Sequence, residues 1–155
     1  MARRTQRALR AAALAVISIG GLMAGTAPAN AGASCSLAGC STTVNDSSVG
    51  ATAMRNWCWD GNSSGDSTET YPGCTVDNVP QSGMFLSAGG GHTPRDQDWD
   101  VLRVDAGWCY KVFFNRLWVP SFTRTYDRRG RSELYVKVGD EAIAHIKGQS
   151  TSSCP

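Results

Sequence analysis

All six cysteines of this 155-residue chain (Cys35, Cys40, Cys58, Cys74, Cys109 and Cys154) lie beyond residue 34, and what precedes them reads as an export leader. Arg3, Arg4, Arg7 and Arg10 form a basic start. Ala11–Ile19 is an apolar run, and Ala29-Asn30-Ala31 offers a small-residue cleavage site before Gly32, with Ala27-Pro28-Ala29 competing just upstream. The run is shorter than the ~20 apolar residues a membrane span requires. The expectation is a signal peptide over residues 1–31 and a single secreted, extracellular domain over 32–155, with no membrane anchor and as a monomer.

In an oxidising compartment an even set of cysteines pairs. Nearest-neighbour pairing, 35–40, 58–74 and 109–154, closes each loop without threading another, and each bridge contributes about 2–4 kcal/mol. The last of these pins a Ser/Thr-rich tail. Zinc is the rival use of cysteine, but no C-x2-C pair occurs and only two histidines are present.

Loss of the leader changes the charge. Four of the 15 basic residues go with it, leaving 11 against 13 acids, a net charge of −2. A nucleic-acid partner is therefore not expected. Acids dominate residues 32–105 and bases dominate 106–155, which favours self-complementarity within one domain.

Large apolar residues concentrate between Trp99 and Ile146 and alternate rather than recur at helical spacing. Trp99–Val104 reads as a strand. Trp108–Phe114 reads as another, with Trp108, Tyr110, Val112 and Phe114 on one face and Cys109, Lys111 and Phe113 on the other. Val49–Trp59 alternates so that Trp57 and Trp59 share a face. Asp127-Arg128-Arg129-Gly130 fits a turn with glycine in the left-handed position. Gly139-Asp140 fits a two-residue hairpin turn, which would pair Val136 with Ile143 and Leu134 with His145 and place Leu134, Val136, Val138 and Ile143 on the core side. The expected fold is all-β: an antiparallel β-sandwich or partly closed barrel, stapled by disulfides.

Three constellations are candidates for function. Asp96, Asp98 and Asp100 alternate and would project to one side of an extended segment, a plausible Ca²⁺ site, although the EF-hand glycine and closing glutamate are missing. Otherwise no cofactor is expected. Trp57, Trp59 and Trp118 (the last beside Pro120) are candidate contact aromatics, since tryptophan anchors interfaces and stacks on sugars. Arg124, Arg128 and Arg129, with Arg131, form a basic group suited to anionic partners. There is no G-x-S-x-G, and the candidate general bases are His92, in a glycine loop, and His145. Asn45-Asp-Ser47 and Asn62-Ser-Ser64 match the glycosylation acceptor.

Trp99-Asp-Val-Leu-Arg-Val-Asp-Ala-Gly-Trp-Cys-Tyr-Lys111 and Tyr126-Asp-Arg-Arg-Gly-Arg-Ser-Glu-Leu-Tyr-Val-Lys-Val138, with the Ala-rich leader, resemble segments of small secreted, disulfide-bonded actinobacterial proteins of unknown function. The resemblance covers most of the mature chain. It implies a secreted, disulfide-bonded domain and supplies no activity and no catalytic residues. The expected function is a non-enzymatic binding or interaction module for an extracellular or cell-surface polymer or a protein. The alternative is a secreted protease inhibitor presenting the loop 60–73 between Cys58 and Cys74.

Overall fold

The computed structural model describes Cys35 and residues 39–60, 63–140 and 142–155; the leader assigned to residues 1–31 lies outside them, as does Asn62. The described residues form an all-β sandwich. In chain order its strands are β1 (Thr42–Asn45), β2 (Ala51–Met54), β3 (Ser67–Thr68), β4 (Thr75–Val76), β5 (Val79–Pro80), β6 (Gly83–Leu86), β7 (Gly91–His92), β8 (Val101–Val104), β9 (Cys109–Arg116), β10 (Phe122–Asp127), β11 (Leu134–Lys137) and β12 (Ala142–Ser150). One five-stranded sheet has the order β10-β9-β12-β1-β7 and the other β3-β11-β8-β2-β6; β4 and β5 make a small separate ribbon. Pairing is antiparallel except between β1 and β12, which run parallel.

Alternation along the strands builds the core. The first sheet turns Tyr110, Val112, Phe114, Tyr126, Ala142, Ala144 and Ile146 inward. The second supplies Ala51, Ala53, Leu86, Leu102, Val104, Leu134 and Val136. Trp99 is buried among them and Trp108 packs at the margin, as their places in the pattern predict. Apolar side chains on facing sheets bury about 25 cal/mol per Å² of surface, which is the main force joining the layers.

The hairpin expected at Gly139-Asp140 does not form. Strand β10 pairs with β9, β11 pairs with β8 and β3, and β12 pairs with β9 and β1. The Gly139-Asp140 turn is a crossover between sheets rather than a hairpin. Leu134, Val136 and Val138 face the core as expected, but across the crossover the inward positions are Ala142, Ala144 and Ile146, and Ile143 is only half-buried. Ala144 lies opposite Phe114 in the register. A small residue there leaves room for the ring, which a bulkier side chain would not. The turn at 127–130 forms with Gly130 at φ 69° and a bond from Arg131 N–H to Arg128 O of 3.0 Å, but it too leads from one sheet to the other.

Gly139 is needed where it stands. Its φ is 90°, and a Cβ there would lie 2.3 Å from Ser64 Oγ. The open side of the sandwich is closed by residues 63–68. Gly65 N–H donates to Lys137 O (2.8 Å), while Gly65 O accepts from Arg124 Nη1 (2.6 Å) and the Tyr126 hydroxyl (3.1 Å) of the other sheet.

The disulfides are Cys35–Cys40, Cys58–Cys74 and Cys109–Cys154, the nearest-neighbour set. Asn45 is fully buried. Its amide nitrogen donates to Val49 O (2.7 Å), Leu86 O (3.2 Å) and Ser87 O (3.1 Å), and its carbonyl accepts from the Ser47 hydroxyl (2.7 Å).

The two outer faces differ. On the second sheet, Met54, Val101 and Tyr135 are buried beneath Trp57, and Tyr71 packs edge-on against Tyr135 at 5.7 Å. The Cys58–Cys74 segment thus covers that face. On the first sheet, Val44, Phe113, Ile143 and His145 lie half-exposed in adjoining rows, with the Phe113 and His145 rings 6.2 Å apart.

Replacing Cys109 and Cys154 together by serine is expected to lower the unfolding free energy by about 2–4 kcal/mol in urea titrations, because the bridge closes a 45-residue separation. Limited proteolysis of the variant should cut first within residues 150–155.

Candidate functional site

Asp98 and Asp100, just before β8, turn toward the interior rather than into solvent. Asp98 Oδ1 accepts from Ser41 N–H at 2.9 Å. Ser41 Oγ lies 2.8 Å from Gly139 O and 2.9 Å from Asp100 Oδ1. One hydroxyl carries one proton. When that proton goes to the Gly139 carbonyl, the Asp100 contact is a hydrogen bond only if the carboxyl donates. Lys137 Nζ, on a side chain only 5% exposed, lies 3.7 Å from both Asp100 Oδ1 and Asp140 Oδ1 and 5.9 Å from the centre of the Trp57 ring. Burial, then the neighbouring Asp98 charge, pushes the Asp100 carboxyl up to about 6, against the pull of Lys137. Burial likewise raises Asp98.

Asp96 does not join this group. It is exposed, and among the described residues the one set of three ligand-type side chains whose donor atoms converge is Cys109, Asp127 and Cys154, in which both sulfurs are bonded to each other. The structure therefore does not gather Asp96, Asp98 and Asp100 around a cation. Asp98 and Asp100 instead tie the start of β1 to the β11–β12 crossover.

Three arginines of the expected basic group, Arg124, Arg128 and Arg129, are held by the protein itself, while Arg131 is exposed. Arg128 is 5% exposed and donates to Ser132 O (2.7 Å) and Glu69 Oε1 (2.6 Å). Arg129 pairs with Asp127 at 2.7 Å and donates to Ser152 O at 2.7 Å, which fastens the tail. The paired guanidinium holds the Asp127 carboxyl well below the usual range. Arg124 reaches Gly65 O and lies over Phe122. The histidines are similarly engaged. His92 Nδ1 is 2.9 Å from Thr93 O, and His145 Nδ1 is 3.0 Å from Asp46 Oδ2, which also pairs with Lys147 at 2.6 Å.

Trp57 and Trp59 share one neighbourhood, as their spacing predicts, but meet edge-to-face with centroids 5.1 Å apart and planes at 62°. They do not form one coplanar platform. Trp118 differs. It is 86% exposed, between the exposed Leu117 and Val119, at the apex of the β9–β10 hairpin. Its φ is 67°, a conformation bulky residues rarely take. The apex is braced from below. Arg116 donates from Nε (3.0 Å) and Nη2 to Pro120 O, and Arg116 N–H donates to Ser121 Oγ (3.2 Å). The Arg116 guanidinium also sits 4.8 Å from the Phe122 ring centre, and that ring stacks on Phe114 at 4.9 Å.

Beside this base lies a groove of about 290 Å³, lined among others by Thr42, Arg95, Asn115, Arg116, Leu117 and Ile143. The exposure of Trp118 agrees with its place among the candidate aromatics; Arg95 and Arg116 were not singled out, because Arg95 comes from a distant loop that only the fold brings alongside β9. The apolar Leu117-Trp118-Val119 between two strand signals is the local pattern that points to the apex.

An acid whose folded value lies above its unfolded one holds protons preferentially in the folded state. The stability Asp100 contributes is therefore fully present below about 4 and is lost as pH rises through about 6. Asp100→Asn is expected to raise the unfolding free energy at pH 7.5 by about 1–3 kcal/mol and to flatten the decline between pH 4.5 and 7 in urea titrations; a slope equal to wild type refutes the assignment. No family model, curated protein or solved structure matches this chain.

Proposed function

We propose that the protein is an extracellular, non-enzymatic binding module that docks onto a partner protein through the β9–β10 hairpin. The observation that carries this reading is the apolar apex, Leu117, Trp118 and Val119, held out in water on a braced hairpin. Exposed apolar side chains forgo the stabilisation of burial. A tryptophan at a protruding tip is the kind of residue that dominates binding energy once it enters a socket. Because Arg116, Pro120, Ser121 and Phe122 fix the apex beforehand, little ordering cost remains for the bound state.

Three disulfides fit an oxidising compartment, and the basic-apolar-small leader supports secretion. A sugar polymer is the less favoured ligand, since flat rings suit sugar faces and Trp57 and Trp59 stand edge-to-face. The inhibitor reading is also less favoured. Ser67–Thr68 pair with β11, and Gly65 is bonded to both sheets, so much of the 60–73 segment is part of the body rather than a presented loop.

The test is Trp118→Gly, which removes the ring and relieves the left-handed backbone. Against a panel of extracellular proteins (secreted proteases included), cell-wall glycan and anionic vesicles, the wild type should bind a protein with a blue shift in tryptophan emission. The variant should bind that protein about 30-fold or more weakly while its urea stability is unchanged or higher. Retained protein binding, or binding confined to glycan or vesicles, rejects the reading.

A further inference from the structure

We infer that the groove beside the β9–β10 hairpin seats Trp118 of a second copy of this chain, so that two copies exchange apexes about a two-fold axis; this rests on the docking role of the hairpin proposed above and names its partner. An exposed apolar knob and an apolar-walled hole lie side by side on one edge of the molecule. The knob is Trp118, 86% exposed between the exposed Leu117 and Val119. The hole, of about 290 Å³, takes Thr42, Ile143 and Asn115 into its walls, with Leu117 at its hairpin end. Thr42, Ile143 and Asn115 form one cross-strand row over β1, β12 and β9. Knob and hole meet at Leu117, which belongs to both. A two-fold axis beside that residue therefore carries each Trp118 into the other copy's hole at once. Such an isologous contact uses one patch twice, and a single chain already holds both halves of it.

The seat suits an indole. Its volume of about 290 Å³ lies at the lower end of small-molecule pockets, ~300–1,000 Å³, and is matched to one large side chain. Ile143 and Leu117 supply apolar wall, and Asn115 adds a polar group that the indole N–H can use. Arg95 is exposed and lines the same groove, and a guanidinium is attracted to an indole face. The surroundings favour a copy of the same chain. Ile143 belongs to the half-exposed face of the first sheet with Val44 and Phe113, so seating the apexes brings that face against its twin. Two apexes, two seats and the adjoining face bury on the order of 1,200–1,600 Å² in total, the lower part of the range for specific interfaces. The mature net charge of −2 leaves little repulsion between copies. A contact of this size corresponds to a dimer that dissociates at ~1–100 μM.

The mature protein is therefore the member of the extracellular panel above that should bind the mature protein. Sedimentation equilibrium over ~1 μM to ~1 mM should show a monomer passing into a dimer. Trp118→Gly, which empties the knob, and Ile143→Glu, which charges the wall of the seat, should each weaken the dimer about 30-fold or more. Trp118→Phe should keep it within about fivefold. Mixing the two defective variants separates knob from hole. In ¹⁵N-labelled Trp118→Gly, whose seat is intact, unlabelled Ile143→Glu should shift the amide signals of Thr42, Asn115 and Ile143, and unlabelled Trp118→Gly should not. In ¹⁵N-labelled Ile143→Glu, unlabelled Trp118→Gly should shift the Trp118 indole signal. A monomer across the whole range, a dimer that survives Trp118→Gly, or seat signals that stay still in the mixture overturns the inference. If the chain stays monomeric while a different protein of the panel binds in a Trp118-dependent way, the seat for a second copy is overturned and the docking role of the hairpin stands. A monomer that binds no protein overturns both.

Discussion

The passage of the chain at Gly139 and Asp140 is the constraint on which the other parts depend. Here the backbone leaves the second sheet and enters the first, and the change of layer decides which side of β12 faces inward. Val138 N–H donates to Asp100 O at 2.7 Å, and Ser41 Oγ bridges the Gly139 carbonyl and the Asp100 carboxyl. The start of β1, the start of β8 and the end of β11 thus meet at one buried point. With that point fixed, β12 runs between β9 and β1. The core, the pinned tail and the groove then follow from the register of those three strands. Three acids and a lysine stand at this junction in place of the apolar packing used elsewhere. A buried group of this kind gives positional definition rather than large net stability, because desolvation offsets much of the charge attraction.

Much of the architecture was legible in local patterns. Alternation at Trp108–Phe114 places Tyr110, Val112 and Phe114 inward, and they are. The disulfide set follows from loop closure between neighbours, since cross-links that thread one another demand longer-range order. What was not legible is partner choice. A glycine–aspartate pair between two β-like segments is consistent with a tight hairpin and with a sheet-to-sheet passage alike. A one-residue change in parity reverses the faces of the following strand. The alanines at 142 and 144 carry the relevant information, but only to a reader who already knows that Phe114 stands opposite. The same limit applies to the groove: Arg95 and Arg116 are far apart in sequence, and nothing in either local context announces the other.

The charged residues show why composition misleads at the level of sites. Arg124, Arg128, Arg129 and Asp127 look like a surface for partners, yet their forked donors and acceptors close loops, hold the tail and seal the sandwich edge. Arg95, in a glycine- and proline-containing loop, is exposed. A guanidinium's role is set by the acceptors folded around it, and a crowded basic segment in a small domain finds many of them internally. The single exposed tryptophan stands out for the opposite reason: it occupies a backbone conformation that disfavours it and gains nothing from burial.

The complete enclosure of Asn45 bears on how this chain can be made. Its carboxamide is committed to three backbone carbonyls and to Ser47, yet Asn45-Asp-Ser47 is a consensus that oligosaccharide transferases read on nascent, unstructured polypeptide. A glycan attached during translocation would have nowhere to go once β1 docked, and the modified molecule would be excluded from its own interior. Expression in yeast or mammalian secretory hosts therefore sets a race between folding and glycosylation that a bacterial host never runs.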